Sequence, residues 1–150
     1  RVKAQVRTVR PNAVISAAVW PYYQNKWGWK ISTGFDDYYQ DSKGWLAAGH
    51  VDAIAPMMYG SVADEFDKWQ VLLADFMAST YGRAVLPGIG ADYDDFNVIV
   101  QRIEAARQAG APGHAIFSFG PLKQRGYLAK LAAGPYAVPA VLSAKKSLAA

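Results

Sequence analysis

The stretch DSKGWLAAGHVDAIAPMMYG, residues 41–60, decides the fold. Its first part reads as a short helix. Asp41 is placed to cap it, Trp45 and Leu46 supply its apolar face, and Gly49 falls just past the last turn, where a left-handed cap needs a residue without a Cβ. Val51 to Met58 is then an almost unbroken apolar run, interrupted only by Asp52. A strand that is apolar at consecutive positions is buried on both faces, the mark of a parallel sheet covered by helices. Pro56 has no N–H to give to a ladder, so the strand is expected to leave the sheet near its carboxyl end. Met57, Met58 and Tyr59 then fall at the rim where α/β proteins place ligands.

The same grammar repeats on either side. Upstream, Val2, Val6 and Val9 have helical spacing, Pro11-Asn12 ends that helix, and Ala13 to Trp20 is β-branched and apolar, a first strand stopped by Pro21. The polar and aromatic loop that follows, residues 21–40, exceeds the usual βα connection of about two to six residues, and such loops are functional or mobile. Downstream, Ser61 is read as the cap of a helix with Phe66, Trp69, Leu72, Leu73 and Phe76 on one face, closed by Gly82. Ala84 to Ile89 is the third strand, with Pro87 near its exit. A helix from Asp95 to Ala109 carries Phe96, Ile99, Val100, Ile103 and Ala106 on one face. Gly113 to Phe119 is the fourth strand, and Pro121 opens a last helix that ends at Gly134. Residues 1–134 thus form one domain, and residues 135–150, with two prolines, a loosely held tail.

Four strand–helix units at a spacing of roughly 30–40 residues indicate an α/β fold of parallel strands with right-handed crossovers. Two architectures fit: a small open doubly wound sheet of the flavodoxin type, or half of a (β/α)8 barrel whose full length is ~250 residues. No Gly-rich phosphate loop follows the first strand, where a nucleotide-binding sheet carries one.

Composition narrows the function classes. The chain has 150 residues and a net charge of +4. Its basic residues gather at the two ends, as Arg1, Lys3, Arg7 and Arg10 and as Lys145 and Lys146, whereas a nucleic-acid footprint is a dense stripe on one element. No nucleic-acid partner is therefore expected. There is no cysteine, which excludes disulfides and thiolate metal sites. His50 and His114 stand alone, so neither a metal nor a cofactor is expected. No apolar run reaches the ~20 residues of a membrane span. The chain opens on Arg1-Val2-Lys3 without the pattern of a signal peptide and reads as the middle of a longer protein. The informative excess is aromatic: five Trp and nine Tyr, many of them between Trp20 and Trp45.

The block YYQDSKGWLAAGHVDAIAPMMYG resembles the signature of the family-10 glycoside-hydrolase-like proteins. In it an aromatic-x-Asp-x-x-x-Trp helix leads into a Val/Ile-Asp-x-Ile-x-Pro-x-x-Tyr strand. The matching positions are Tyr39, Asp41, Trp45, Val51, Asp52, Ile54, Pro56 and Tyr59. VLPGIGADY at 85–93 and GHAIFSFGPL at 113–122 are similar to further blocks. The resemblance implies a (β/α)8 barrel of which these four strands are the fifth to eighth. It further implies a secreted or envelope-attached protein acting on polysaccharide, N-acetylhexosamine polymers among them. The family's acidic Asp-Asp-Tyr motif closes the fourth strand, which this chain lacks, so catalytic carboxylates are expected outside it. A half barrel exposes two unpaired edges and an apolar interior. Its expected partner is the missing amino-terminal half, or a second copy joined through those edges.

Glycoside cleavage needs two carboxyl functions, ~5–5.5 Å apart for retention and ~6.5–9.5 Å for inversion. This chain's rim is accordingly expected to supply substrate contacts. Tyr59, at a strand exit, can stack on a sugar face or donate its hydroxyl. Trp20, at the first strand's exit, is a second platform or a lid on the core. Asp41 is a ligand contact or simply the helix cap, and Asp92 follows the third strand on the same rim. Trp27 and Trp29 are loop aromatics suited to a saccharide or a partner surface. A non-catalytic module that grips glycan with these aromatics is the alternative function.

Overall fold

The structure is a computed structural model that describes residues 1–140. Strands and helices alternate. Helix α1 (Val2–Val9) precedes β1 (Ser16–Val19), and the long loop holds α2 (Gly34–Tyr38) before α3 (Ser42–Ala47) leads into β2 (Ala53–Pro56). A 3-10 turn, Ser61–Asp64, opens α4 (Phe66–Met77). Then come β3 (Ala84–Val85), β4 (Gly88–Gly90), α5 (Phe96–Gln108), β5 (Ala115–Phe117), α6 (Phe119–Gln124) and α7 (Tyr127–Ala133). Among the described residues all pairings are parallel, β1 with β2, β2 with β3, and β4 with β5. The α/β class with parallel strands is as the alternation requires.

The third strand differs from its expected form. The apolar pattern predicts one run from Ala84 to Ile89, but its two ends serve different neighbours. The Leu86 amide donates to the Ile54 carbonyl on one side, and the Pro87 carbonyl accepts from the Ala115 amide on the other. The chain after Pro56 crosses so close to Gly88 that a Cβ there would lie 2.5 Å from the Pro56 oxygen. Only glycine fits that crossing. The Gly88 carbonyl, left without a strand partner, accepts from the buried indole of Trp69 at 3.1 Å. Helix α4 is thereby bolted to the sheet where the strand changes neighbours.

One face of the sheet meets the helices. Val19, Ile54, Val85 and Ile89 are each fully buried in one cluster with Leu46, Leu72, Phe76, Ile99 and Ile103. Side chains alternate across a strand, so Ser16, Ala18, Ala55, Ala115 and Phe117 fall on the other face, together with Ala53 and Ala84, which are small and buried. Ser16, Ala18 and Phe117 are exposed there, Phe117 at 61%.

Ionic groups close the amino-terminal ends of the strands. Asp52 accepts from the Ile15 amide at 2.9 Å and pairs with Lys3 at 2.5 Å and Arg7 at 3.0 Å. Burial alone would raise its pKa. The Ile15 hydrogen bond and the two cations outweigh burial and hold it below the usual carboxylate value.

Three local expectations change. The long loop contains α2, capped by Thr33, which accepts from the Asp36 amide. The helix expected after Ser61 begins only at Phe66, behind the 3-10 turn. The single last helix is two, divided at Gly126, whose φ of +67° suits glycine. The tail's first residues are tied down: Pro135 accepts from Arg107 at 2.6 Å, and Tyr136 meets His114. Residues 141–150 lie outside the described ones.

Candidate functional site

The parallel strands bring Tyr59, Gly90 and Phe117 to one place at their carboxyl ends. The Tyr59 and Phe117 rings stack with centroids 5.3 Å apart and planes 6° apart. They lie over the glycines of β4: a Cβ on Gly88 would meet the Tyr59 ring at 3.1 Å, and one on Gly90 would meet Tyr59 Cβ at 3.3 Å. The missing side chains make room for the ring on the second face of the sheet. The same point beside Gly90 is 3.1 Å from an Asp92 carboxylate oxygen. Asp92 is exposed and, among the described residues, makes no hydrogen bond or ion pair. The Tyr59 hydroxyl is likewise without a partner among the described residues, and burial pushes its pKa up. It is therefore a neutral donor at physiological pH.

A network behind this pair fixes the loop that carries Tyr59. The Gly60 amide and the Tyr93 hydroxyl both donate to Asp64 Oδ1 at 2.9 Å. Arg102, buried on α5, donates to the Asp64 carbonyl at 2.6 Å and lies 4.9 Å over the Tyr93 ring. Burial raises the Tyr93 pKa, the cation of Arg102 opposes this, and the bond to Asp64 adds to the rise. On the other side, the Ala63 amide donates to the buried Tyr22 hydroxyl at 3.3 Å, so strand exits one and two are joined through the same loop.

The remaining sequence candidates are placed elsewhere or are occupied. Trp20 gives its indole N–H to the Ser32 carbonyl at 2.8 Å and packs on Tyr38 at 4.5 Å; it holds the long loop to the first strand's exit. Asp41 caps α3 through the Gly44 amide and accepts from the Tyr23 hydroxyl at 2.8 Å. Trp27 and Trp29 stack on each other at 4.8 Å, and Lys68 of α4 lies 6.0 Å over Trp29. Their neighbour Lys26 pairs with Asp75 of the same helix. The two tryptophans therefore pack beside α4 and against the core cluster, with Trp29 edge-on to Tyr22 at 6.4 Å.

Of the predicted residues, the structure brings together Tyr59 and Asp92. Phe117, Tyr93, Asp64 and Arg102 are additions that sequence reading passed over. Arg102 had a legible signal: it falls between Ile99 and Ile103 on the apolar face of its helix, where an unpaired charge is costly. Phe117 had none, because its ring becomes Tyr59's neighbour only through the β4–β5 register, Gly90 beside Phe117.

Among the described residues no cluster of His, Cys, Asp or Glu has the arrangement of a metal site, and no helix is long and apolar enough to cross a membrane. No family model matches the chain, and no curated protein matches it.

Proposed function

We propose that this chain is the carboxy-terminal half of a (β/α)8 barrel that binds polysaccharide at its rim and belongs to a glycoside hydrolase. The observation that carries the reading is the parallel Tyr59–Phe117 pair beside the unpaired carboxylate of Asp92, at the carboxyl ends of parallel strands. A flat apolar platform suits the C–H face of a pyranose, and a carboxylate at its margin accepts from sugar hydroxyls. The sheet order supports the barrel. Its strands follow chain order, β1-β2-β3 and then β4-β5. Right-handed crossovers in one direction place every helix on one face. A doubly wound sheet reverses its order and covers both. The uncovered face, with exposed Ser16, Ala18 and Phe117, is then the inside of the barrel, to be closed by four further strands.

The division of labour follows from the carboxylates. Asp41 and Asp95 cap helices, Asp64 is held by Gly60 and Tyr93, and Asp94 pairs with Arg125. Asp92 is left as the acid beside Tyr59, and hydrolysis requires a second. That group comes from the other half, and this chain supplies substrate contacts. The same count favours the alternative reading, a rim that binds glycan and never cleaves it. N-acetylhexosamine polymers and a secreted or envelope-attached protein are part of the proposal, on the family resemblance.

The test is calorimetric titration of the full-length protein with N-acetylglucosamine oligomers and other neutral glycans, together with product analysis. Tyr59→Ala is expected to weaken binding by about tenfold, the loss of one stacked ring. Binding unchanged by that substitution counts against the site. Binding without turnover selects the non-catalytic reading.

A further inference from the structure

At the opposite end of the strands from Tyr59 lies a cleft of about 680 Å³, lined by Lys3, Arg7, Trp45, Gly49, His50 and Arg83 among others. Three cations gather there, and two of them share one carboxylate. Lys3 Nζ lies 2.5 Å from Asp52 Oδ1 and 3.0 Å from the Gly49 carbonyl, and Arg7 Nη2 is 3.0 Å from the same carboxylate oxygen. Arg83 reaches the same turn from the next strand. Its Nη2 occupies the space a Cβ on Gly49 would need, 2.5 Å from that position, and the φ of +70° at Gly49 keeps the residue a glycine. Among the described residues the Arg83 side chain has no hydrogen bond and no ion pair, and its Nε is buried without a partner. Arg7 Nε is also buried and unpartnered.

A guanidinium drawn out of water is normally paired, and an orphaned buried N–H costs free energy that a hydrogen bond recovers. Here two arginines whose Nε groups lack a partner line one cleft with Lys3, and Asp52 is already shared by two of the three cations. We infer that this cleft is a binding site for a tetrahedral oxyanion, a phosphate or sulfate group, held by the fork of Arg83 with Lys3 and Arg7 completing the charge. The planar guanidinium matches two oxygens of such a group at once, whereas an ammonium contributes a point charge. The group is either free in solution or carried on a polyanionic saccharide. The site stands apart from the Tyr59 rim and does not depend on the glycan reading.

The experiment is calorimetric and thermal-shift titration of the full-length protein at low ionic strength with sodium phosphate, and separately with a sulfated oligosaccharide. Sodium chloride at matched ionic strength is the control. Binding to either probe, above the chloride control and weakened roughly tenfold in Arg83→Gln, supports the site. Arg83→Lys, which keeps the charge and loses the fork, is expected to recover part of it. Asp52→Asn, which removes the competing carboxylate, is expected to tighten it. Tighter binding of the sulfated saccharide than of phosphate, with the same Arg83 dependence, identifies a saccharide-borne group; equal binding identifies a free anion. No shift beyond chloride with either probe, or binding indifferent to Arg83→Gln in a variant whose ligand-free melting matches the parent, overturns the inference.

Discussion

On the helix side of the sheet Val19, Ile54, Val85 and Ile89 are fully buried, while the other side carries Ser16 and Ala18, exposed, the small buried Ala53 and Ala84, and Ala115 and Phe117 of β5. The first face is large, branched and closed. The second is small, partly open, and aromatic only where Tyr59 and Phe117 meet. Burial stabilises the fold in proportion to the apolar area withdrawn from water, so the helix face carries the stability of the isolated chain. The second face contributes little until something covers it. The two faces therefore separate what makes the chain fold from what it presents to a partner.

The sharpest way to break this comparison is a matched pair of substitutions. Ile54→Ala should cost about 4 kcal/mol in urea unfolding, through lost transfer energy and an unfilled cavity. Ala18→Ser, one strand away on the second face, should change stability by less than about 0.5 kcal/mol. Similar costs for the two would mean that the second face is already a core.

Asp52→Asn should follow, at about 3 kcal/mol, because it leaves Lys3 and Arg7 without their carboxylate at a site where Asp52 is only 5% exposed. The same residue sets an acid response. Its folded pKa lies below the unfolded value of about 3.9, so its contribution is complete above that value and is lost as pH falls through the folded pKa. A urea midpoint that declines below about pH 4 in the parent, and is flatter there in Asp52→Asn, is the expected profile.

Trp69→Phe keeps most of the ring but strands the Gly88 carbonyl, and is expected to cost about 2 kcal/mol. Phe117→Ser should also cost little stability, below about 1 kcal/mol for a ring that is largely exposed. Its expected effect lies elsewhere: sedimentation of the chain should show less self-association once this apolar contact on the open face is gone. Unchanged association in Phe117→Ser would mean that the open face is not what copies share.

Much of the frame was legible because it is local. The capping Asp41, the left-handed Gly49 and the continuous apolar run into Pro56 each follow from one residue's own chemistry, and β2 lies where they put it. The alternation of strand and helix patterns likewise gave parallel pairing. The split of the third strand was not legible, because Ala84 to Ile89 has an unbroken β pattern. What divides it is the passage of residues 56–58 across Gly88, a contact between distant parts of the chain. Helix α2 did leave a trace: Thr33 with Asp36 and Asp37 is a short capping box, hidden within an aromatic loop. At the site, Tyr59 and Asp92 were readable as residues following strands. Trp27 and Trp29 were not separable from them, since composition places an aromatic in a loop without saying whether it packs against the core.

The change of neighbours at Leu86 and Pro87 gives the molecule a seam. On one side of it three strands share a ladder, on the other side two do. The backbone joining the ladders is a single chain, so their concerted melting depends on interlocked side chains and on the Trp69 indole rather than on backbone rungs. Loosening that packing would let amides of β4 and β5 exchange with deuterium ahead of those in β1 and β2, turning one unfolding event into two.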